Sequence, residues 1–393
     1  MSSLPSPRIG KILALGGFTL GLAACGGSNI ATAPPPFPTT YSLLQTVTGV
    51  PPAGASFSFD IGNIDETVHQ YYLSDRASNG IDVINSLTGQ YLGTAGGGSF
   101  QGGGSAVTGF GRPPNGGPNG NAPLGNGLLA AGDGNSTLKI VSVANISASL
   151  VATINIPNPY TGPNLPPNIC QGAVGAATGV PTVGAGNFRI DEIAYDPTDN
   201  VIAAMSDNAC PVFITFIQGT APYSILGAVA LTTANGGGEA SVWDAKQGLF
   251  LTAIPSTTTN PGGEIDAFSP KTFTKVNVLP LPATCGPSGL ALGQNETLVT
   301  ACANSMLTFN GVTGAVINNY PGPQDDEVWY SPGSNRFYGA DAGRGLLVVL
   351  DGNGNFLSST PTSTSSHSVA VESINDHVFV PQSTPNGILI YDH

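Results

Sequence analysis

Charge is the scarcest feature of this sequence. Only 9% of its 393 residues are Asp, Glu, Lys or Arg, and 11 basic residues stand against 24 acidic ones. The resulting net charge of −13 repels a phosphate backbone, so nucleic acid and anionic membrane surfaces are excluded, while cations or basic partners fit better. Long apolar runs are missing too. After residue 24 no stretch of 18 uncharged apolar residues occurs, so sequence predicts no spanning helix there. Nucleophile-elbow, zinc-protease, phosphate-loop, haem-attachment and paired Cys-x-x-Cys motifs are also lacking. Gly and Pro, in contrast, number 54 and 33, which excludes a helical bundle. Hydrophobic residues make up 40%, in short runs of Val, Ile, Leu, Tyr and Phe that suit a large β-rich core.

Arg8 and Lys11 precede an apolar stretch, residues 12–24, which is too short for a ~20-residue bilayer span and has the layout of a secretory signal. It ends in Leu22-Ala23-Ala24-Cys25, which resembles a bacterial lipobox. The resemblance implies a signal peptide of residues 1–24 and a diacylglyceryl group on the Cys25 thiol. Gly26 rather than Asp follows, which by the same resemblance favours the outer membrane. An extracytoplasmic lipoprotein of the cell envelope is therefore expected, touching the membrane through its anchor only. Residues 25–40 include three adjacent prolines and read as a tether that is flexible, then stiff. The folded domain is expected over 41–393.

Four further cysteines remain: Cys170, Cys210, Cys285 and Cys302. An even count in an exported chain permits disulfides. The segment from Cys285 runs into the turn Gly293-Gln294-Asn295-Glu296 and returns to Cys302, so folding it as a hairpin brings the two thiols together. Cys170 and Cys210 are left to pair by elimination.

One phrase recurs through the second half of the chain. Residues 189–207, 238–253, 324–341 and 366–381 each read as a strand, a tight turn rich in Asp, Asn, Gly or Pro, and a second strand. A third strand often follows, as at 80–85, 138–143 and 346–350, and then a turn and a fourth. Four antiparallel strands recurring every ~40 to 50 residues describe a propeller blade. Taking the residue five positions before each first turn gives seven markers: Asp60, Asn119, Asp191, Glu239, Ser288, Asp326 and His367. The two long gaps between markers hold inserts near 102–118 and 157–187. Seven markers predict an all-β fold, a seven-bladed β-propeller of four-stranded antiparallel blades. The last blade runs out of chain after three strands, so the segment 41–48 is expected to supply the fourth and close the ring.

First strands of blades line a central channel, so the seven markers should ring one face, with Glu192 and Glu327 adjacent. Asp75, Asp133, Asp207 and Asp341 belong on the same face at the ends of second strands. Crowded carboxylates repel unless neutralised, which makes Ca²⁺ or another divalent cation a candidate ligand. The competing reading is that these groups cap loops around a water-filled channel. His367 is the one histidine placed on the ring, a weak candidate for a general acid. His69, His377 and His393 receive no role. Asp351 and Gly352 read as a hairpin turn, and Trp243 and Trp329 as core.

Residues 75–89, 131–140 and 367–371 resemble the YVTN-type bacterial propeller repeat. That resemblance covers essentially 41–393 and implies fold rather than function. The phrases Glu239-Ala240-Ser241-Val242-Trp243 and Asn119-Gly120 resemble the gluconolactonase-like propellers, which hold a divalent cation through Glu, Asn and Asp at such positions. Ser288-Gly289 stands where that family has Asn-Gly, Glu327 follows Asp326 where it has Gly, and that family has six blades. Three functions stay open: a non-catalytic module binding a ligand or protein partner through its acidic face, a metal-dependent lactonase, hydrolase or lyase, and a purely structural envelope protein.

Overall fold

The computed structural model describes residues 40–50, 57–101, 116–160, 188–207, 209, 211–235, 237–322 and 325–393. These form seven four-stranded antiparallel sheets, a seven-bladed β-propeller. Six sheets are consecutive in the chain, at 59–95, 121–155, 190–230, 241–280, 290–321 and 325–361, here blades 1 to 6. Blade 7 joins Ala370–Glu372, His377–Ser383 and Asn386–Asp392 to Ser42–Thr46, the N-terminal strand, which pairs with Asn386–Asp392. The ring is thus closed by both ends of the domain, and the last blade gains the same outer fourth strand as the other six.

Second and third strands are near-continuous apolar runs, because a neighbouring blade covers each face. Val201–Ser206 and Phe213–Gln218 are buried along almost their whole length. The cores lie between blades: Ile140 of blade 2 packs with Ile202 and Phe213 of blade 3, and Phe216 of blade 3 with Phe250 of blade 4. Trp243 packs at the same junction, 4.8 Å from the Phe250 ring. First strands pack on one another around the centre, from Phe59–Asp65 through to Ala370–Glu372 and back.

The turn between first and second strands repeats for a local reason. Asp65, Asp196 and Asp244 each accept a backbone N–H two residues on, at 2.7–2.9 Å, which closes the turn. The residue before the second strand then takes positive φ: His69, Asn200, Gly248, Asn335 and Asp376. That is why the turns carry Asn and Gly. Asp351 accepts from the Asn353 and Asn355 amides, the expected hairpin turn.

Every fourth strand carries a register shift against its neighbour. The extra residues are Leu92, Val151 and Leu226 in blades 1 to 3, Val276, Ile317 and Leu357 in blades 4 to 6, and Leu44 in blade 7. A bulge on an outer strand bends the exposed edge away from pairing.

Strand direction sorts the loops onto two faces. First strands begin on one, together with the loops joining second to third strands; it is called the mouth face. The other, the turn face, holds the first-to-second and third-to-fourth turns. Cys285 and Cys302 form a disulfide on the mouth face, their Cα atoms 4.4 Å apart. Cys25, Cys170 and Cys210 lie outside the described residues, as do the expected signal segment, nearly all of the expected tether and most of the two inserts.

Candidate functional site at the channel mouth

Three first strands, Phe59–Asp65, Ile190–Asp196 and Asp325–Ser331, are bulged near their starts. The two residues at each bulge are Asp60 and Ile61, Asp191 and Glu192, and Asp326 and Glu327. A bulge sets two residues opposite one and re-aims their side chains, so blades 3 and 6 each present two consecutive carboxylates. Each bulge leans on the preceding blade, where a small residue accommodates it. A Cβ on Gly120 would lie 2.2 Å from the Asp191 carbonyl oxygen, and one on Gly289 would lie 2.4 Å from that of Asp326. At the third junction Ser368 stands in the corresponding place, and its hydroxyl accepts the Gly62 amide at 2.8 Å. The Asn119-Gly120 and Ser288-Gly289 phrases therefore have a packing role in this ring.

Five carboxylates from four blades share one electrostatic environment. Burial pushes Glu192 well above the ordinary carboxylate range, and the negative charges of Asp60, Glu239 and Asp326 add to it, with Arg189 opposing. Glu327 is raised by burial and then by Glu192, Asp326, Asp60 and Glu239. Both hold protons where a free glutamate has lost them. Glu192 is 7% exposed.

Two arginines, which sequence reasoning does not single out, neutralise part of the ring. Arg76 pairs with Asp60 and donates to Asn119 Oδ1 at 2.7 Å. Arg189 pairs with Asp191 and reaches Asp207 at 3.1 Å. A signal is nevertheless present in the sequence, since Arg76 follows a second-strand Asp and Arg189 precedes Asp191 by two. Asn119 also donates to the Ile190 carbonyl at 3.0 Å, tying blade 2 to blade 3. His367 stacks on Phe59, 4.4 Å between centroids, with Nε2 4.0 Å from Asp60 Oδ1. Its carbonyl accepts the Glu327 amide at 3.1 Å.

Glu239 and Ser288 precede the first strands of blades 4 and 5, their amides bonded to Ala253 and Ala301 carbonyls at 2.9 Å. The second-strand aspartates serve their loops: Asp75 accepts from Ala77, Asp133 from Gly134 and Asp341 from Arg344, at 2.7–2.9 Å. Among the described residues no group of three or more His, Cys, Asp or Glu side chains is arranged to hold a metal ion.

The mouth thus presents a crowded, half-neutralised acidic ring in which two glutamic acids, buried Glu192 and half-buried Glu327, take up a proton rather than a charge. Such a site favours a positively charged group that enters and displaces those protons. Compared with known proteins, the chain matches no family model and no curated protein.

Proposed function

We propose that the protein is an extracytoplasmic, lipid-anchored propeller of the YVTN-repeat type. Its channel mouth binds the ammonium or guanidinium group of a small ligand or protein partner, without catalysis. The observation carrying this reading is the mutual repulsion of Glu192 and Glu327 with Asp60, Glu239 and Asp326. A cation at the mouth stabilises their ionised forms, so binding is coupled to proton release and strengthens as pH rises.

The test is calorimetric titration with spermidine and with an Arg-rich peptide, in two buffers of different ionisation heat. Proton release on binding, lost in Glu192→Gln and Glu327→Gln variants that keep their circular dichroism, supports the reading. Binding with no linked protons, or binding that both variants retain, overturns it. A divalent cation is the competing occupant of the same carboxylates. An ion-specific rise in Tm that EDTA abolishes reassigns the ring to a metal and brings the lactonase or lyase reading forward. The anchor is checked separately, by mass spectrometry of the N-terminal peptide beginning at Cys25.

A further inference from the structure

Among the described residues, the exposed large apolar side chains are not scattered over this domain. Eleven of the fourteen, including Leu43, Leu150, Ile225 and Phe356, lie in the first residues of the fourth strands. The other three, Val68, Val312 and Ile374, lie in turns between strands. Fourth strands start on the turn face, and Val68, Val312 and Ile374 occupy its turns, so all fourteen sit on the side away from the acidic mouth. The pattern repeats blade by blade, because in each the bulge residue is Leu, Val or Ile. Leu44, Leu92, Val151, Leu226, Val276 and Ile317 are 36–50% exposed; in blade 6 the half-buried Leu357 takes this place beside exposed Phe356. An extra residue inserted solely to spoil edge pairing has no need to be apolar, and Lys or Glu serve that purpose better. Large exposed apolar clusters rimmed by polar groups mark contact surfaces.

We propose that this rim is a membrane-contacting surface, and that the propeller rests turn face down on a bilayer of neutral lipids with its acidic mouth turned away. Two features select a bilayer. Seven equivalent positions, one per blade at one register, lie in a plane around the whole circumference, which a flat apolar surface meets at once and a single protein patch does not. The chain also enters the domain here. Thr40, the first described residue of the N-terminal run, leads into Ser42 at the turn-face end of its strand. The 39 residues before it, with the apolar stretch 12–24 and Cys25, are therefore joined to the domain on the rim side. Neutral lipid is specified because Glu66 and Asp351 occupy turns of the same face, where they repel anionic headgroups, while its two turn lysines, Lys246 and Lys271, are paired with Glu296 and Asp199.

The experiment uses the full mature chain reconstituted in phosphatidylcholine vesicles, with tryptophan reporters at Leu44→Trp, Val151→Trp and Ile317→Trp. Asn304→Trp, in an exposed mouth-face loop, is the control, and the unmodified chain gives the baseline of the native tryptophans. Vesicles with brominated acyl chains are expected to quench and blue-shift all three rim reporters and leave Asn304→Trp unchanged. Equal quenching at all four positions, or none at the rim, overturns the proposal, as does contact that appears only with anionic lipid. A rim blue-shift in vesicle-free solution, accompanied by multimers in analytical ultracentrifugation, also overturns it and assigns the rim to contacts between copies. The outcome is separable from the anchor reading: Cys25 found unmodified with rim reporters quenched removes the anchor and keeps the surface, and a lipidated Cys25 with silent reporters does the reverse.

Discussion

The Tyr41 phenol donates to Asp376 Oδ2 at 2.5 Å across 335 residues of sequence, joining the residue just before the N-terminal strand to the turn of the last blade. The Tyr338 hydroxyl, 2.8 Å from that of Tyr41, also donates to Asp376, and Arg336 donates to the Tyr41 oxygen at 3.0 Å. Burial and the Asp376 charge raise both phenols above the ordinary tyrosine range, so they act as donors at any physiological pH. Ring closure is therefore held by side chains as well as by strand pairing.

Tyr41→Phe removes a donor from a buried carboxylate and is expected to cost about 1–3 kcal/mol. Asp376→Asn should lose a similar amount, and the double variant less than their sum, because both act in one network. Urea denaturation of the three variants checks this. Additive losses would mean that the two residues act independently.

The Cys285–Cys302 bridge spans a sequence separation of 17 residues, and both cysteines are buried in the junction of blades 4 and 5. Restricting a loop of that size in the unfolded chain contributes about 3 kcal/mol. A Cys285→Ala, Cys302→Ala chain is expected to unfold at lower urea by roughly that amount while keeping its β-sheet circular dichroism. Unchanged stability would show that the bridge makes no net contribution through the unfolded chain.

Strand count, closure and this disulfide were legible because they follow from short-range chemistry: a turn Asp, a left-handed residue before the second strand, alternation along a strand. The bulges were not, because counting back from a turn lands on Asp60 whether or not an extra residue follows. Consecutive apolar pairs such as Leu43-Leu44, Leu150-Val151 and Val316-Ile317 do break the alternation of an outer strand and mark the outer bulges, a sign the blade pattern concealed. At the mouth, the positions of Asp60, Glu239 and Asp326 were readable from the repeat. Arg76 was not, because its partners Asp60 and Asn119 lie on another strand and on the next blade, whereas Arg189, two residues before Asp191, carried a local sign. Nor did sequence separate Asp191, neutralised by Arg189, from Glu192, which carries the buried proton.

Burial pushes Asp266 up to about 7, with Lys275 opposing at 3.1 Å and Glu264 adding to the rise. The native state then binds this proton more tightly than the unfolded chain. Its stabilising effect is complete below the unfolded value near 3.8 and is lost as pH climbs through about 7. A tenfold difference in proton affinity between the two states corresponds to about 1.4 kcal/mol. The Asp266→Asn variant should show a flatter decline of Tm between about pH 4 and 8 than the parent, judged as a difference, since Glu192 and Glu327 add slopes of the same sign. Parallel profiles would show that Lys275 holds Asp266 ionised throughout.

Gly120 and Gly289 set the spacing between neighbouring first strands, since a Cβ at either meets backbone of the next blade's bulge rather than a movable side chain. Gly289→Ala must push the Asp326 and Glu327 backbone away, and Gly120→Ala that of Asp191 and Glu192. Overpacking of this kind typically costs about 1–3 kcal/mol. The displacement also moves the paired carboxylates, so each variant should weaken binding of spermidine at the mouth by more than a stability loss alone predicts. Alanine at Gly248, where nothing lies within 4 Å but φ is positive, supplies the comparison: backbone strain without displacement of the bulge. Titration at a temperature where all three variants remain folded separates the two effects. Weakened binding in Gly120→Ala and Gly289→Ala alone would tie the site to the bulges, and equal binding in all three would detach it from them.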